Sequence, residues 1–187
     1  MLGLEAVHLI PCHIPPHRGE PHADAEQRCE MLRLAIAGEP GLRLDRRELE
    51  RPGPSYMVDT LHSLRQELGE RRPLCMIIGA DAFLGLPSWY HWQELMQLSH
   101  IVVAHRPGWE LGSSTLEVVL QDLLQRHRLA AASQLHDTPA GGVWLQAVTP
   151  LGISATEIRR LIAAGGSANY LLPQAVWDYI RRQELYR

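Results

Sequence analysis

The residues with the most chemistry to offer stand together in the run Ile153-Ser154-Ala155-Thr156-Glu157-Ile158-Arg159-Arg160. Ser154 and Glu157 have the spacing of a capping box, which predicts a helix opening just after Ser154. The first turn of a helix leaves backbone N–H groups unpaired and carries a partial positive charge, so it suits an anion. Ser154 and Thr156 add hydroxyls to that end. Arg159, three residues beyond Thr156, falls on the same face with a planar fork matched to phosphate oxygens. The chemistry is that of a clamp for the phosphates of a nucleotide. The same residues also fit a capped surface helix with a solvated arginine, and the run by itself leaves both readings open.

Composition narrows the means available. All 18 basic residues are arginine, which excludes a Schiff-base lysine and a P-loop lysine within this sequence. Phosphate charge must therefore be met by arginine, histidine, a metal or the backbone. Cys12, His13, His17 and His22 crowd one stretch, but proline interrupts them and the spacing matches no zinc pattern. No protein metal site is expected. The net charge of −3 gives no basic footprint for nucleic acid. No apolar run approaches membrane-spanning length, and Met1 to Ile10 lacks the basic start of a signal peptide. Three cysteines without paired spacing suit a reduced compartment, so a cytoplasmic setting is expected.

These groups need elements to position them. With 187 residues, one domain spanning 1–187 is the expectation. Ala6 to Ile10, Leu42 to Leu44, Leu74 to Ile78, Ile101 to Ala104 and Val143 to Val148 read as strands, and Leu74 to Ile78 as one buried on both faces. Helical periodicity marks Ala25 to Ala37, a segment through Leu61, Leu64 and Leu68, Trp89 to Leu98, Leu116 to His127, and the stretches after Ala155 and Pro173. Ser55 is placed to cap the second of these, and Ala131 to Gly142 reads as an exposed connection. Alternating strands and helices predict a parallel α/β sheet with helices on its faces, and ligands in such sheets bind beyond the carboxyl ends of the strands. Pro15 to Arg18, Gly79 to Asp81, His105-Arg106 and Ser154 each follow a strand, so all four can line one rim.

Taken in order, these segments resemble those of bacterial nicotinate-nucleotide adenylyltransferases. The likeness rests on Pro15-Pro16-His17-Arg18, Pro54-Ser55-Tyr56, Ile77-Ile78-Gly79-Ala80-Asp81 and Leu86-Pro87-Ser88-Trp89-Tyr90-His91-Trp92. It continues through His100-Ile101-Val102-Val103, Arg106-Pro107, Ile153 to Arg159 and the closing Leu185-Tyr186-Arg187. It implies a Rossmann-like nucleotidyltransferase fold and adenylyl transfer from ATP to nicotinate mononucleotide, with Mg²⁺ accompanying ATP and pyrophosphate released on the way to NAD. The sequence departs from that family in one respect: the Gly-x-Phe-Asp-Pro-x-His-x-Gly-His motif on the family's first strand does not occur. A first strand is thus expected to be missing from the sheet, no catalytic histidine is assigned, and Met1 is expected to be an internal methionine of a longer protein. The opposing expectations are a non-catalytic nucleotide-binding remnant and, further off, a relative of phosphopantetheine adenylyltransferase.

The resemblance also implies residue roles. For the mononucleotide they fall on His17, Arg18, Ser55, Tyr56, Met57, Trp89 and Tyr90. Arg18 would grip the phosphate, Trp89 would stack on the pyridine ring, and amides at Met57 and Tyr90 would face its carboxylate. Trp92 is the better candidate for a core tryptophan. For ATP the roles fall on Gly79, Asp81, Arg106, Ile153, Ser154, Thr156 and Arg159. Asp81 has an alternative as the N-cap of the short helix beside it. Partners expected are ATP and nicotinate mononucleotide, without nucleic acid or membrane, and homo-oligomerisation is left open.

Overall fold

Apolar strands too short to stand alone are stacked by intervening helices in the computed structural model, which describes residues 2–14, 22–105, 116–149 and 151–187. Strands β1 (Val7–Leu9) and β2 (Leu42–Leu44) pair in parallel, as do β3 (Cys75–Gly79), β4 (His100–His105) and β5 (Val143–Ala147) in the order β3-β4-β5. The helices are α1 (Ala25–Ala35), α2 (Arg47–Glu50), α3 (Met57–Leu68), α4 (Ala80–Leu84), α5 (Leu95–Leu98), α6 (Val118–His127), α7 (Ala155–Ala163) and α8 (Gln174–Arg182). The parallel α/β architecture is the expected one. Its ladder, however, is in two pieces, and the chain divides into two compact units: Met1–Gly3 with Tyr56–Pro150, and Leu4–Ser55 with Leu151–Arg187.

In the unit holding β3, β4 and β5, the central strand is dry, with Ile101, Val102 and Val103 all at 1% exposure or less. Phe83, Leu86, Leu95, Leu120, Leu135 and Val143 complete that core. Strand β3 departs from its expected double burial. Met76 and Ile78 are buried while Ile77, on the opposite face of the strand, is 43% exposed, so the described residues cover one face of β3 more fully than the other. Trp89 to Leu98 is not one helix either. His91 takes a left-handed backbone (φ 50°), so the stretch breaks into a turn, a 3₁₀ turn at Trp92–Glu94 and the short α5.

The connection at Ala131 to Gly142 is exposed or half-buried along most of its length, as expected, yet parts of it are held by the core of this unit. It contains a 3₁₀ turn, Ala132–His136, with Leu135 fully buried. Arg65 on α3 donates Nη2 to the Pro139 carbonyl (2.7 Å), Nε to Leu98 (2.7 Å) and Nη1 to Arg72 (2.6 Å) and Gly69 (3.2 Å). A planar fork is the side chain that can reach several carbonyls at once. His100, also fully buried, accepts the Gly142 N–H at Nδ1 (2.9 Å) and places Nε2 2.8 Å from the Thr138 carbonyl. A backbone N–H only donates, so Nδ1 is bare and Nε2 carries the proton.

The other unit is built on α8, whose Val176, Trp177 and Ile180 share one buried stripe with Ile162, Ala168 and Leu185. Met31 and Leu34 of α1 pack on it, whereas Ala35, expected on the same face, is exposed. Asp24 and Gln27 close a full capping box at the start of α1. Asp45 beyond β2 takes the Arg47 guanidinium (2.8 Å) and lies 3.2 Å from His8 Nδ1 on β1.

Candidate functional site

Helix α3 begins without a side-chain cap, with Tyr56 in the cap position. Ser55, expected to cap it, is used elsewhere: its Oγ accepts the His13 N–H (2.9 Å) and its N–H donates to the Ile14 carbonyl (3.1 Å). A 12-residue helix thus starts at Met57 with its first N–H groups uncapped. Beside it the Tyr56 and Tyr90 rings lie 4.4 Å apart at 31°, and His91 continues the aromatic group, 4.1 Å from Tyr90 at 49°. Tyr90 is half exposed, and its own N–H has no partner among the described residues. Trp89 is half-buried, with its N–H committed to the Leu86 carbonyl (2.9 Å). Trp92 is half-buried as well, so burial does not separate the two tryptophans.

Sequence reading missed the acid–base neighbours of this aromatic group. Glu94 lies 2.6 Å from His62 Nε2 and 3.6 Å from His91 Nδ1. No local pattern signals this, because His62 and Glu94 are 32 residues apart.

Gly79 ends β3 and forms the N-cap of α4, and exposed Asp81 sits in the first turn rather than at the cap. At Gly79 φ is −73° and an added Cβ would meet nothing within 4 Å. Neither backbone conformation nor packing among the described residues requires glycine there, which leaves open space at the carboxyl end of the strand.

In the other unit α7 opens as expected. Ser154 is its N-cap and accepts the Glu157 N–H (3.1 Å). The reciprocal half of the capping box differs, since Glu157 takes the Ser154 hydroxyl proton (2.9 Å) instead of the cap N–H. That hydroxyl is therefore already committed as a donor. Arg159 donates to Thr156 Oγ1 (3.3 Å), and Ile153 is exposed just ahead of the cap. Tyr186 stands near this cation: burial pushes its phenol up, against the opposing pull of Arg159 and Arg28. His17, Arg18 and Arg106 lie outside the described residues. Among the described residues no three His, Cys, Asp or Glu side chains are grouped to hold a metal ion, and no helix is long and apolar enough to cross a membrane.

Residues 1–161 match the family model of cytidylyltransferase-like proteins. Together with the parallel fold and the capped helix after the last strand, this defines the chain's class as nucleotidyltransferase. A relative from Aeromonas salmonicida named "Probable nicotinate-nucleotide adenylyltransferase" is 48% identical over 186 residues, spanning 100% of this chain and 85% of its own length. A relative of the same name from Marinobacter nauticus is 50% identical over 187 residues, covering 99% of this chain and 84% of its own. The chain belongs to the nicotinate-nucleotide adenylyltransferase family. Its fold is similar to that of the Plasmodium falciparum nicotinic acid mononucleotide adenylyltransferase solved with NaAD, with a TM-score of 0.68 at 15% identity, covering 98% of this chain and 83% of that one.

Proposed function

We propose that this chain serves adenylyl transfer from ATP to nicotinate mononucleotide. An oxygen of the mononucleotide phosphate bonds to the α-phosphorus of ATP. The bond from that phosphorus to the bridging oxygen breaks, and pyrophosphate leaves with the electron pair. The nucleophile is already an anion, so positioning and charge stabilisation carry the reaction rather than a strong base.

The observation that supports this reading most is the uncapped start of α3 beside the Tyr56–Tyr90 pair. The N–H groups at Met57 and Tyr90, without a partner among the described residues, suit an acceptor-only carboxylate, and an aromatic surface suits the ring that bears it. Trp89 and Ser55 flank that position in sequence, and His17 and Arg18 are assigned to the same mononucleotide. Ile153, Ser154, Thr156, Arg159 and Arg106 are assigned to the ATP phosphates. Gly79 gives the nucleotide room to approach, and Asp81 is placed to accept from a ribose hydroxyl. Mg²⁺ fits as the ion carried by the ATP phosphates, since hard cations of that kind are commonly held by substrate oxygens and water. The cytoplasm suits three cysteines that form no disulfide.

The test is to combine the protein with nicotinate mononucleotide, ATP and Mg²⁺ and to follow pyrophosphate and the dinucleotide product. Product formation with nicotinate mononucleotide and none with phosphopantetheine supports the reading. Mononucleotide binding without pyrophosphate release would identify a binding-only role.

A further inference from the structure

Two links tie the segment from Trp89 to Glu94 to α3, and all of these residues lie in one compact unit. The first is the Tyr56–Tyr90 ring pair at the helix entrance, with 4.4 Å between centroids. The second is Glu94, whose Oε1 lies 2.6 Å from Nε2 of His62 on α3. A carboxylate only accepts, so the His62 proton sits on Nε2 and the bond is charge-assisted. The other carboxylate oxygen stands 3.6 Å from His91 Nδ1, and the Glu94 N–H donates to the His91 carbonyl (3.0 Å). His91 itself is left-handed (φ 50°, ψ 38°), a backbone state that disfavours a residue with a Cβ and persists where neighbours over-determine it. Its ring lies 4.1 Å from that of Tyr90. Tyr90 is thus held twice, by Tyr56 across the ring pair and by Glu94 through His91. Positions 56 and 62 are about 9 Å apart along the helix axis. Two attachments that far apart fix the orientation of the segment, whereas the ring pair alone would let it pivot.

We propose that Glu94 is a positioning residue that sets the preference for a pyridine carboxylate over a pyridine carboxamide. By holding its segment to α3 through His62, it keeps the Tyr90 N–H and the first N–H groups of α3 in place together. The proposal rests on the function proposed above. A carboxylate accepts from both sets of donors, while a carboxamide turns its own NH₂ toward one of them. Letting the segment pivot therefore costs the acid a hydrogen bond that the amide never had.

The experiment is isothermal titration of the chain and its E94A, E94Q and H62A variants with nicotinate mononucleotide and, separately, nicotinamide mononucleotide, alongside thermal melts. E94A is expected to weaken binding of the acid about tenfold, the scale of one charge-assisted hydrogen bond, and to leave the amide within about twofold. E94Q keeps an acceptor for the His62 Nε2–H and should recover most of the loss. H62A cuts the same link from α3 without touching the Trp89–Glu94 segment and should give the same selective loss, which keeps the test open if E94A folds poorly. A through-space effect of charge has the opposite sign, since removing a carboxylate would tighten binding of an anionic ligand. Tighter binding of the acid by E94A thus overturns the proposal. So does an unchanged acid-to-amide ratio in both E94A and H62A, or an E94Q as weak as E94A. An equal loss of both mononucleotides with a lowered melting temperature would mark a plain structural role and overturns it too. Wild-type protein that binds both alike refutes this inference alone, and one that binds neither refutes the proposed function with it.

Discussion

His100 provides a stability prediction that can be worked from its two hydrogen bonds. Replacing it with leucine roughly keeps the volume but removes both partners. The Gly142 N–H, whose bond is buried, would be left dry at a cost of about 1–3 kcal/mol, and the bond to the Thr138 carbonyl, nearer solvent, is worth about 1 kcal/mol. Greater apolar burial by leucine offsets about 1 kcal/mol, leaving a net loss of about 1–3 kcal/mol. In a protein of this size that corresponds to a melting temperature lower by about 2–12 °C. Asparagine is shorter but can present its Oδ1 where Nδ1 stands, so H100N should retain much of what H100L loses. Urea unfolding of the three proteins, with the slope held constant, gives the comparison. An H100L variant within about 0.5 kcal/mol of wild type, or an H100N no more stable than H100L, would refute the assigned proton placement and the importance of this buried pair.

Ser154→Ala removes the cap of α7 and should cost about 1 kcal/mol in urea unfolding while weakening ATP binding; a variant as stable as wild type would deny the cap any weight. For Asp45, burial works to raise the carboxyl, but hydrogen bonds from Arg47 and His8 hold it below its ordinary value. Its stabilisation is therefore full above the unfolded pKa and lost as pH falls through the depressed folded one. D45N should be less stable than wild type by about 1 kcal/mol at neutral pH, and the gap measured by unfolding should close below about pH 4. Trp89→Ala should raise the Michaelis constant for nicotinate mononucleotide about tenfold and leave that for ATP nearly unchanged; equal effects on both would count against a stacking role.

What could be read from the sequence was local. Apolar runs marked the strands at Cys75–Gly79, His100–His105 and Val143–Ala147, and the Ser154–Glu157 spacing marked the start of α7, because strand burial and capping are decided within a few residues. Ser55 shows the limit. It has the chemistry of a cap, yet its hydroxyl goes to His13, 42 residues away, and no local rule weighs that competition. Arg65 gives no local signal of its role either, since it reaches Pro139, 74 residues on. The composition of 131–142 marked an exposed connection, but only tertiary contacts turn its carbonyls into acceptors for Arg65 and His100. The break at His91 was equally hidden, since a left-handed histidine leaves no periodic signature. Around the candidate site, the Tyr56–Tyr90 contact needed the fold, while the cap at Ser154 and the shared helix face of Thr156 and Arg159 did not.

The outer edge of β3 has a consequence for how the protein behaves in a tube or a cell. Among the described residues the β3-β4-β5 ladder stops at β3, where Ile77 is half-exposed, and an unpaired strand edge offers a row of backbone donors and acceptors to any extended segment that reaches it. As concentration rises, any extended apolar segment, including one from another copy, competes for it. Colloidal stability, more than folding stability, would then set the working concentration, and a charged residue in place of Ile77 would be the smallest change that widens it.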